Sequence, residues 1–264
     1  MAVTAPTNPA GRAGGEYVDA NGVRTYYEVE GSGDPLVMLH GGLCAIEIFD
    51  GLRRELVEHF RVYLPERRGH GRTADVEGPF SLGLFADDTI AFMDAIGLRS
   101  AHIFGHSDGA SIGLLTALRR PDLVRSLVHC GQQANPSGIT PEFGQVLKLD
   151  AMPHGMLPPV LRELYEALSP DGADHWDAIV DKEWQLLRVE PDLDLADLAD
   201  VTPPTLVLLG DADIATVPHA EAMARALPNG DVVVVPNANH GLPVERPEVV
   251  AQIVLDFVAG LDRA

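Results

Sequence analysis

The chain has 264 residues and a formal charge of −20, enough length to bury one large core and a size that suits a single α/β domain. The acidity disfavours nucleic acid and anionic membranes as partners and reads as a solubilising surface. Two cysteines, Cys44 and Cys130, make no disulfide framework and fit no metal-ligand spacing, so a reducing cytoplasm is the expected compartment.

Residues 1–15 are rich in Pro, Gly and Ala and lack the apolar centre of a secretory signal, so a flexible leader is expected there. No apolar run reaches membrane-spanning length. Strands are predicted at 16–19 and 23–30, joined at Asn21-Gly22, a dipeptide that supplies the positive φ a hairpin turn needs. The apolar run at 35–39 ends in His40-Gly41-Gly42 and suits a strand buried on both faces. Helical spacing over 46–60 and a strand at 61–65 follow. The stretch 82–96 is an amphipathic helix with Leu84, Phe85, Thr89, Phe92, Met93 and Ile96 on one side. A strand at 101–104 leads through a glycine-flanked turn to a helix at 110–120, which Pro121 stops, and a strand is predicted at 124–129.

After Gly131 the alternation breaks. Residues 132–200 show no obvious strand and carry prolines at Pro136, Pro141, Pro153, Pro158, Pro159 and Pro170. The pattern resumes with a strand at 205–209, a helix at 218–227, a strand at 232–235 and a helix at 247–261. Alternating strands and helices predict an α/β fold with a mostly parallel central sheet and helices on both faces. The expected organisation is a core of 16–131 and 201–264 with a helical cap, 132–200, inserted after a strand's carboxyl end, where open α/β sheets bind ligands.

The chemistry centres on Gly105-His106-Ser107-Asp108-Gly109. A serine between two glycines, after a strand and before a helix, reads as a nucleophile elbow that lifts the hydroxyl clear of the sheet. A serine nucleophile needs a base, a group that orients the base, and donors for the developing oxyanion. The base candidate is His240, in Asn237-Ala238-Asn239-His240-Gly241 after the last strand. His70 in an arginine-rich loop, His129 within a strand and His59 near a helix end fit less well, and the ring of His106 is expected to point away from the serine. The orienting acid is Asp213 in Gly210-Asp211-Ala212-Asp213, with Asp211 in reserve. The loop after the preceding strand, His129-Cys130-Gly131-Gln132-Gln133, offers no carboxylate. The backbone N–H of Asp108, at the start of the elbow helix, and that of Gly42 are the oxyanion donors, with Leu43 next in line. The Asp108 carboxylate would oppose an oxyanion, so its side chain is expected to turn away or bind a neighbour. Arg67 and Arg68 read as anchors bonded to loop carbonyls and surface acids. Leu43 and, within 132–200, Met152, His154, Met156, Trp176 and Trp184 are candidates to line the substrate pocket.

Together with Arg68-Gly69-His70-Gly71-Arg72-Thr73, Pro121-Asp122-Leu123-Val124 and Glu245-Arg246-Pro247-Glu248, these motifs resemble the α/β-hydrolase superfamily over 17–257, in its group of bacterial single-domain esterase, lactonase and peroxidase-like members. The resemblance implies an α/β-hydrolase fold, Ser107 as nucleophile, His240 as base, Asp213 as acid, and Gly42 with Asp108 as oxyanion donors. It implies no cofactor and no metal. Serine at the elbow tip argues against the epoxide hydrolases and haloalkane dehalogenases, which usually carry aspartate there. The expected activity is hydrolysis of a small-molecule carboxylic ester or lactone through an acyl-enzyme. The alternatives are hydrolytic C–C cleavage of a diketone, perhydrolase or haloperoxidase-like acyl chemistry, and a slow-turnover ligand-binding role. Caps and edge strands often pair in the family, so a homodimer is also expected.

Overall fold

A computed structural model describes residues 14–153 and 155–261. The leader expected at 1–15 lies outside the described residues up to residue 13, and so does His154. The first half of the chain forms β1 (Glu16–Ala20), β2 (Val23–Gly31), β3 (Asp34–Leu39), α1 (Asp50–Leu56), β4 (Phe60–Pro65), α2 (Leu82–Ala95), β5 (Ala101–His106), α3 (Asp108–Arg119) and β6 (Val124–Cys130). Three helices follow without an intervening strand among the described residues: α4 (Pro141–Val146), α5 (Pro159–Leu168) and α6 (Trp176–Leu187). The chain ends with β7 (Thr205–Ala212), α7 (Val217–Ala226), β8 (Gly230–Asn239), α8 (Leu242–Glu245) and α9 (Pro247–Leu261).

The strands form one sheet in the order β1-β2-β4-β3-β5-β6-β7-β8. β1 and β2 pair antiparallel, as do β2 and β4, and all other pairs are parallel. The hairpin turns at Asn21 and Gly22, both at positive φ, the geometry that matches the twist of two antiparallel strands.

Period-two alternation divides each buried strand between two apolar layers. Val37, Leu39, Ile103, Leu127, Val207 and Leu209 face one layer, with Phe85 and Phe92 of α2, Ile112 of α3 and Met223 of α7. Leu36, Met38, Phe104, Val128, Leu206 and Leu208 face the other, with Leu52 and Leu56 of α1 and Val250 and Val254 of α9. The continuous apolar runs are therefore two interleaved sets of core residues. Ile179 and Leu186 of α6 join the first layer, which fixes that helix to the body of the molecule.

The helix predicted over 46–60 is shorter. A 3₁₀ turn at Ile46–Phe49 precedes α1, and the chain leaves the helix at Leu56 because Phe60 is already a strand residue opposite Asp34. The last strand is longer than 232–235, running to Asn239, which pairs with Ala212 at the end of β7 past a register shift. That extension brings Asp213 and His240 together, since each residue directly follows one member of the Ala212–Asn239 pair.

Candidate active site

Ser107 sits between β5 and α3 at φ 56°, ψ −125°, a conformation that costs a non-glycine residue about 1–3 kcal/mol and persists only where the surroundings enforce it. The surroundings here are close. A Cβ on Gly105 would overlap the carbonyl of Gly109, and one on Gly109 would overlap the carbonyl of Leu39. The Ser107 N–H donates to the carbonyl of Cys130 at 2.9 Å, tying the turn to the end of β6, and its own carbonyl accepts from Ala110 N–H at 2.8 Å.

The structure brings the three sequence-predicted side chains into one chain of hydrogen bonds. His240 Nε2 lies 3.1 Å from Ser107 Oγ, and His240 Nδ1 lies 2.8 Å from Asp213 Oδ1. Asp213 Oδ1 also accepts from the Ile214 N–H at 2.7 Å. Burial pushes the Asp213 carboxyl up, but the hydrogen bond and charge of His240 and the Ile214 N–H outweigh it and hold the group below the ordinary carboxylate range. Asp211, the reserve acid, is exposed and accepts from the Ala238 N–H at 3.3 Å instead. His106 turns its Nε2–H to the carbonyl of His240.

Of the oxyanion candidates, Leu43 is spent elsewhere. Its N–H, at a residue with φ 57°, donates to His70 Nε2 at 3.0 Å. His70 Nδ1 in turn meets the carbonyl of Arg68 at 2.9 Å, so the ring proton sits on Nδ1 and the imidazole is neutral. Burial, with Arg67 beside it, pulls its pKa well below the ordinary histidine value. Asp108 N–H is the first of α3 and has no partner within the helix, and Gly42 N–H takes none among the described residues. Gly41 and Gly42 press the loop after β3 against the elbow: a Cβ on Gly41 would come 3.1 Å from Ser107 Cβ.

The Asp108 carboxylate does bind a neighbour. Arg67 Nη2 lies 3.0 Å from its Oδ2, with both side chains buried. Burial pushes Asp108 up, yet Arg67, with hydrogen bonds from Glu183 and Arg67, brings it below the ordinary value. Arg68 grips Asp88 with two 2.7 Å bonds. The acids held by Arg67 and Arg68 are thus buried, not surface acids as the sequence suggested, because the Arg-Gly-His-Gly loop passes under α2 and the elbow.

The candidate pocket residues disperse. Leu43 borders a cavity of ≈ 10 Å³ with Cys44, His70, and Leu164 and Tyr165 of α5. Trp176 is buried against Tyr165, ring centroids 5.3 Å apart, and buried Trp184 donates its indole N–H to the carbonyl of Leu149. Neither ring borders that cavity. Met152 is half-buried against the core layer of α2 and α3.

Sequence reasoning missed Glu183. It lies on α6 between Ile179 and Leu186, on the apolar stripe of the helix, and its side chain is 1% exposed. A lone acid on an apolar stripe was the available signal. Its carboxyl lies over Gly42, where a Cβ would overlap it, and against Asp108. Burial first, then the charge of Asp108, hold Glu183 well above the ordinary carboxylate range.

Known proteins resemble this chain over most of its length. A Caulobacter sp. (strain K31) protein named "Putative carbamate hydrolase RutD" is 29% identical over 257 residues, covering 89% of this chain and 96% of its own length. The 2-hydroxy-6-oxo-6-(2'-aminophenyl)hexa-2,4-dienoic acid hydrolase of Metapseudomonas resinovorans is 25% identical over 266 residues, covering 92% of this chain and 90% of its own. Among solved structures, the meta-cleavage product hydrolase CumD of Pseudomonas fluorescens IP01 superposes with a TM-score of 0.77 at 21% identity, covering 94% of this chain and 98% of that one, a likeness of fold. The alpha/beta hydrolase family model matches residues 36–253, and the chain belongs to that family.

Proposed function

We propose that this hydrolase is a serine enzyme that cleaves a carboxylic ester or lactone through an acyl-enzyme. The observation that carries the reading is the continuous contact from Ser107 Oγ through both nitrogens of His240 to Asp213. In this mechanism His240 Nε2 takes the proton of Ser107 as Oγ attacks the carbonyl carbon. Asp213 holds the Nδ1–H tautomer and offsets the charge of the imidazolium. The tetrahedral oxyanion is received by the N–H groups of Gly42 and Asp108, the second at a helix N-terminus. His240 then gives its proton to the leaving alkoxide, the acyl-enzyme forms, and water, activated by the same imidazole, releases the acid. Arg67 matters here because it neutralises the Asp108 carboxylate beside the oxyanion site. Residues 132–200, whose α6 seats Glu183 above Gly42, act in this reading as the cap over the substrate.

A second reading, hydrolytic C–C cleavage of a diketone, draws on the Metapseudomonas relative, which is named a hydrolase of 2-hydroxy-6-oxo-6-(2'-aminophenyl)hexa-2,4-dienoic acid, the enol form of such a diketone. It uses the same serine, histidine and acid. The test is turnover of p-nitrophenyl esters and a small lactone beside a 2-hydroxy-6-oxo-dienoate. Ser107→Ala abolishes ester and lactone turnover while the circular dichroism spectrum and Tm stay native; undiminished ester turnover by that variant rules the mechanism out. Turnover of the dienoate alone selects the second reading.

A further inference from the structure

The groups that face the Glu183 carboxyl come from three elements. Asp108 approaches from α3, Arg67 and His70 from the loop after β4, and Cys44 from the loop after β3. None of them offers Glu183 a proton. Arg67 is engaged with Asp108 at 3.0 Å. His70 Nε2, 3.9 Å from Glu183 Oε2, presents its lone pair to the Leu43 N–H. Burial keeps Cys44 a neutral thiol, and it makes no hydrogen bond to Glu183. Among the described residues no N–H or O–H donates to either Glu183 oxygen. An ionised Glu183 would be a second buried carboxylate against Asp108 with one guanidinium between them, an arrangement that burial makes very costly. The hydrogen bond open to Glu183 is the one it donates, to Asp108, and donating it requires that Glu183 keep its own proton.

We propose that Glu183 is a positioning residue for the hydrolysis: as a neutral carboxylic acid it donates to the Asp108 carboxylate, packs on the Cα of Gly42, and so fixes the two backbone donors of the oxyanion site relative to each other. The inference rests on the serine-hydrolase reading given above. Two consequences follow from the geometry. The Arg67–Asp108–Glu183 group carries no net charge beside the oxyanion site while Glu183 is protonated, and loss of that proton adds a negative charge where negative charge must develop. The same contact makes the donor spacing depend on α6, so the helix above the site takes part in building it.

The test uses the full chain and reads two quantities. Infrared difference spectra between wild type and Glu183→Gln at neutral pH report the carbonyl stretch of a buried, protonated carboxylic acid. The rate at which a fluorophosphonate labels Ser107 reports the serine, the base and the oxyanion donors without a natural substrate. Expected is a carboxylic-acid band in wild type that Glu183→Gln lacks. Glu183→Gln, which keeps a donor and the neutrality, labels within about threefold of wild type, and its rate does not fall on the alkaline side where loss of the Glu183 proton slows wild type. Glu183→Leu, shown folded by its Tm, labels about tenfold more slowly or worse, a fraction of the loss that deleting one oxyanion donor brings. A missing band, or Glu183→Leu labelling at the wild-type rate, overturns the proposal. Wild type that takes no label overturns the serine-hydrolase reading itself, which separates the two failures.

Discussion

His106 and His240 are joined across the site: the Nε2–H of His106 donates to the carbonyl oxygen of His240 at 2.8 Å, and the two rings lie 5.0 Å apart. The residue before the elbow serine thus braces the loop that carries the proposed base. Among the described residues His106 Nδ1 is buried without a partner, so the single ring proton belongs on Nε2, where it is used. Burial, reinforced by the neighbouring His240, pulls the His106 pKa down to about 4 and keeps the ring neutral at physiological pH. Replacement by Gln keeps an N–H donor at similar reach, and His106→Gln is expected to retain kcat within about threefold. His106→Phe leaves the carbonyl unpartnered and is expected to lower kcat about tenfold with little change in KM, and to cost about 1–2 kcal/mol in urea unfolding. Equal kcat values for the two variants would remove the bracing role.

Asp211 and Asp213 are two residues apart, and the structure separates them cleanly. Asp213 meets the imidazole, while Asp211 accepts a backbone N–H from Ala238. Asp213→Asn frees the Nδ1 tautomer and is expected to lower ester turnover on the order of a thousand- to ten-thousandfold, with the imidazole still present. Asp211→Asn keeps an acceptor for Ala238 and is expected to change turnover by less than about threefold. Steady-state kinetics on p-nitrophenyl acetate decide it, and a larger loss in Asp211→Asn than in Asp213→Asn reverses the assignment.

Legibility in the sequence followed the physics of each feature. Strand runs such as Leu36–Met38 and Leu206–Leu208 were readable because burial on both faces demands unbroken apolarity. The elbow was readable because only glycine tolerates the approach of Gly109 to Leu39. The exact meeting of Asp213 and His240 was less so, since it depends on β8 continuing past a register shift to pair Asn239 with Ala212, and no local signal marks that. Glu183 and the side-chain directions within 132–200 were hidden because helical spacing shows which face is apolar but not what lies opposite it. Trp176 and Trp184 illustrate the point: large rings that suit a pocket are here packed on Tyr165 and bonded to the Leu149 carbonyl.

Asp75 ties α6 to the loop after β4. Lys182 Nζ reaches its two oxygens at 2.6 and 2.8 Å, and His175 Nε2 lies 2.9 Å from Oδ2. Burial pushes the Asp75 carboxyl up, but the bonds from Lys182 and His175 hold it below the ordinary range, ionised at neutral pH. Asp75→Asn keeps the shape and removes the charge that both partners use. It is expected to cost about 2 kcal/mol, the scale of a hydrogen bond to a charged group. The loss should be local, so hydrogen exchange in α6 should accelerate more than in α3, and KM should rise more than kcat falls. Uniform acceleration across both helices would make Asp75 a general stabiliser and not a tether of α6.

Acid should weaken the fold well before the carboxylates titrate. Burial pulls His40 down to about 3 and His106 and His129 to about 4, and His70 well below the ordinary value of 6.5. Burial lowers His219 as well, so as pH falls through 6.5 the unfolded chain takes up five protons ahead of the folded chain, and folding loses stability. Glu183, held well above the ordinary carboxylate value of 4.5, and Glu66, pushed by burial up to about 8, act in the opposite sense, binding protons in the folded state that the unfolded state binds only near 4.5. From pH 6.5 to about 8 the two acids dominate the difference between the states, and stability falls as pH rises; below 6.5 the five histidines outnumber them, and stability falls as pH drops. Once the unfolded acids protonate near 4.5 the opposition ends and the acid slope steepens, each unmatched proton being worth about 1.4 kcal/mol per pH unit. Urea midpoints measured across this range are expected to peak near pH 6.5. A midpoint that climbs steadily to pH 8, or that stays level from 6.5 to 4.5, would show that the buried histidines and acids do not hold the protonation states their surroundings impose.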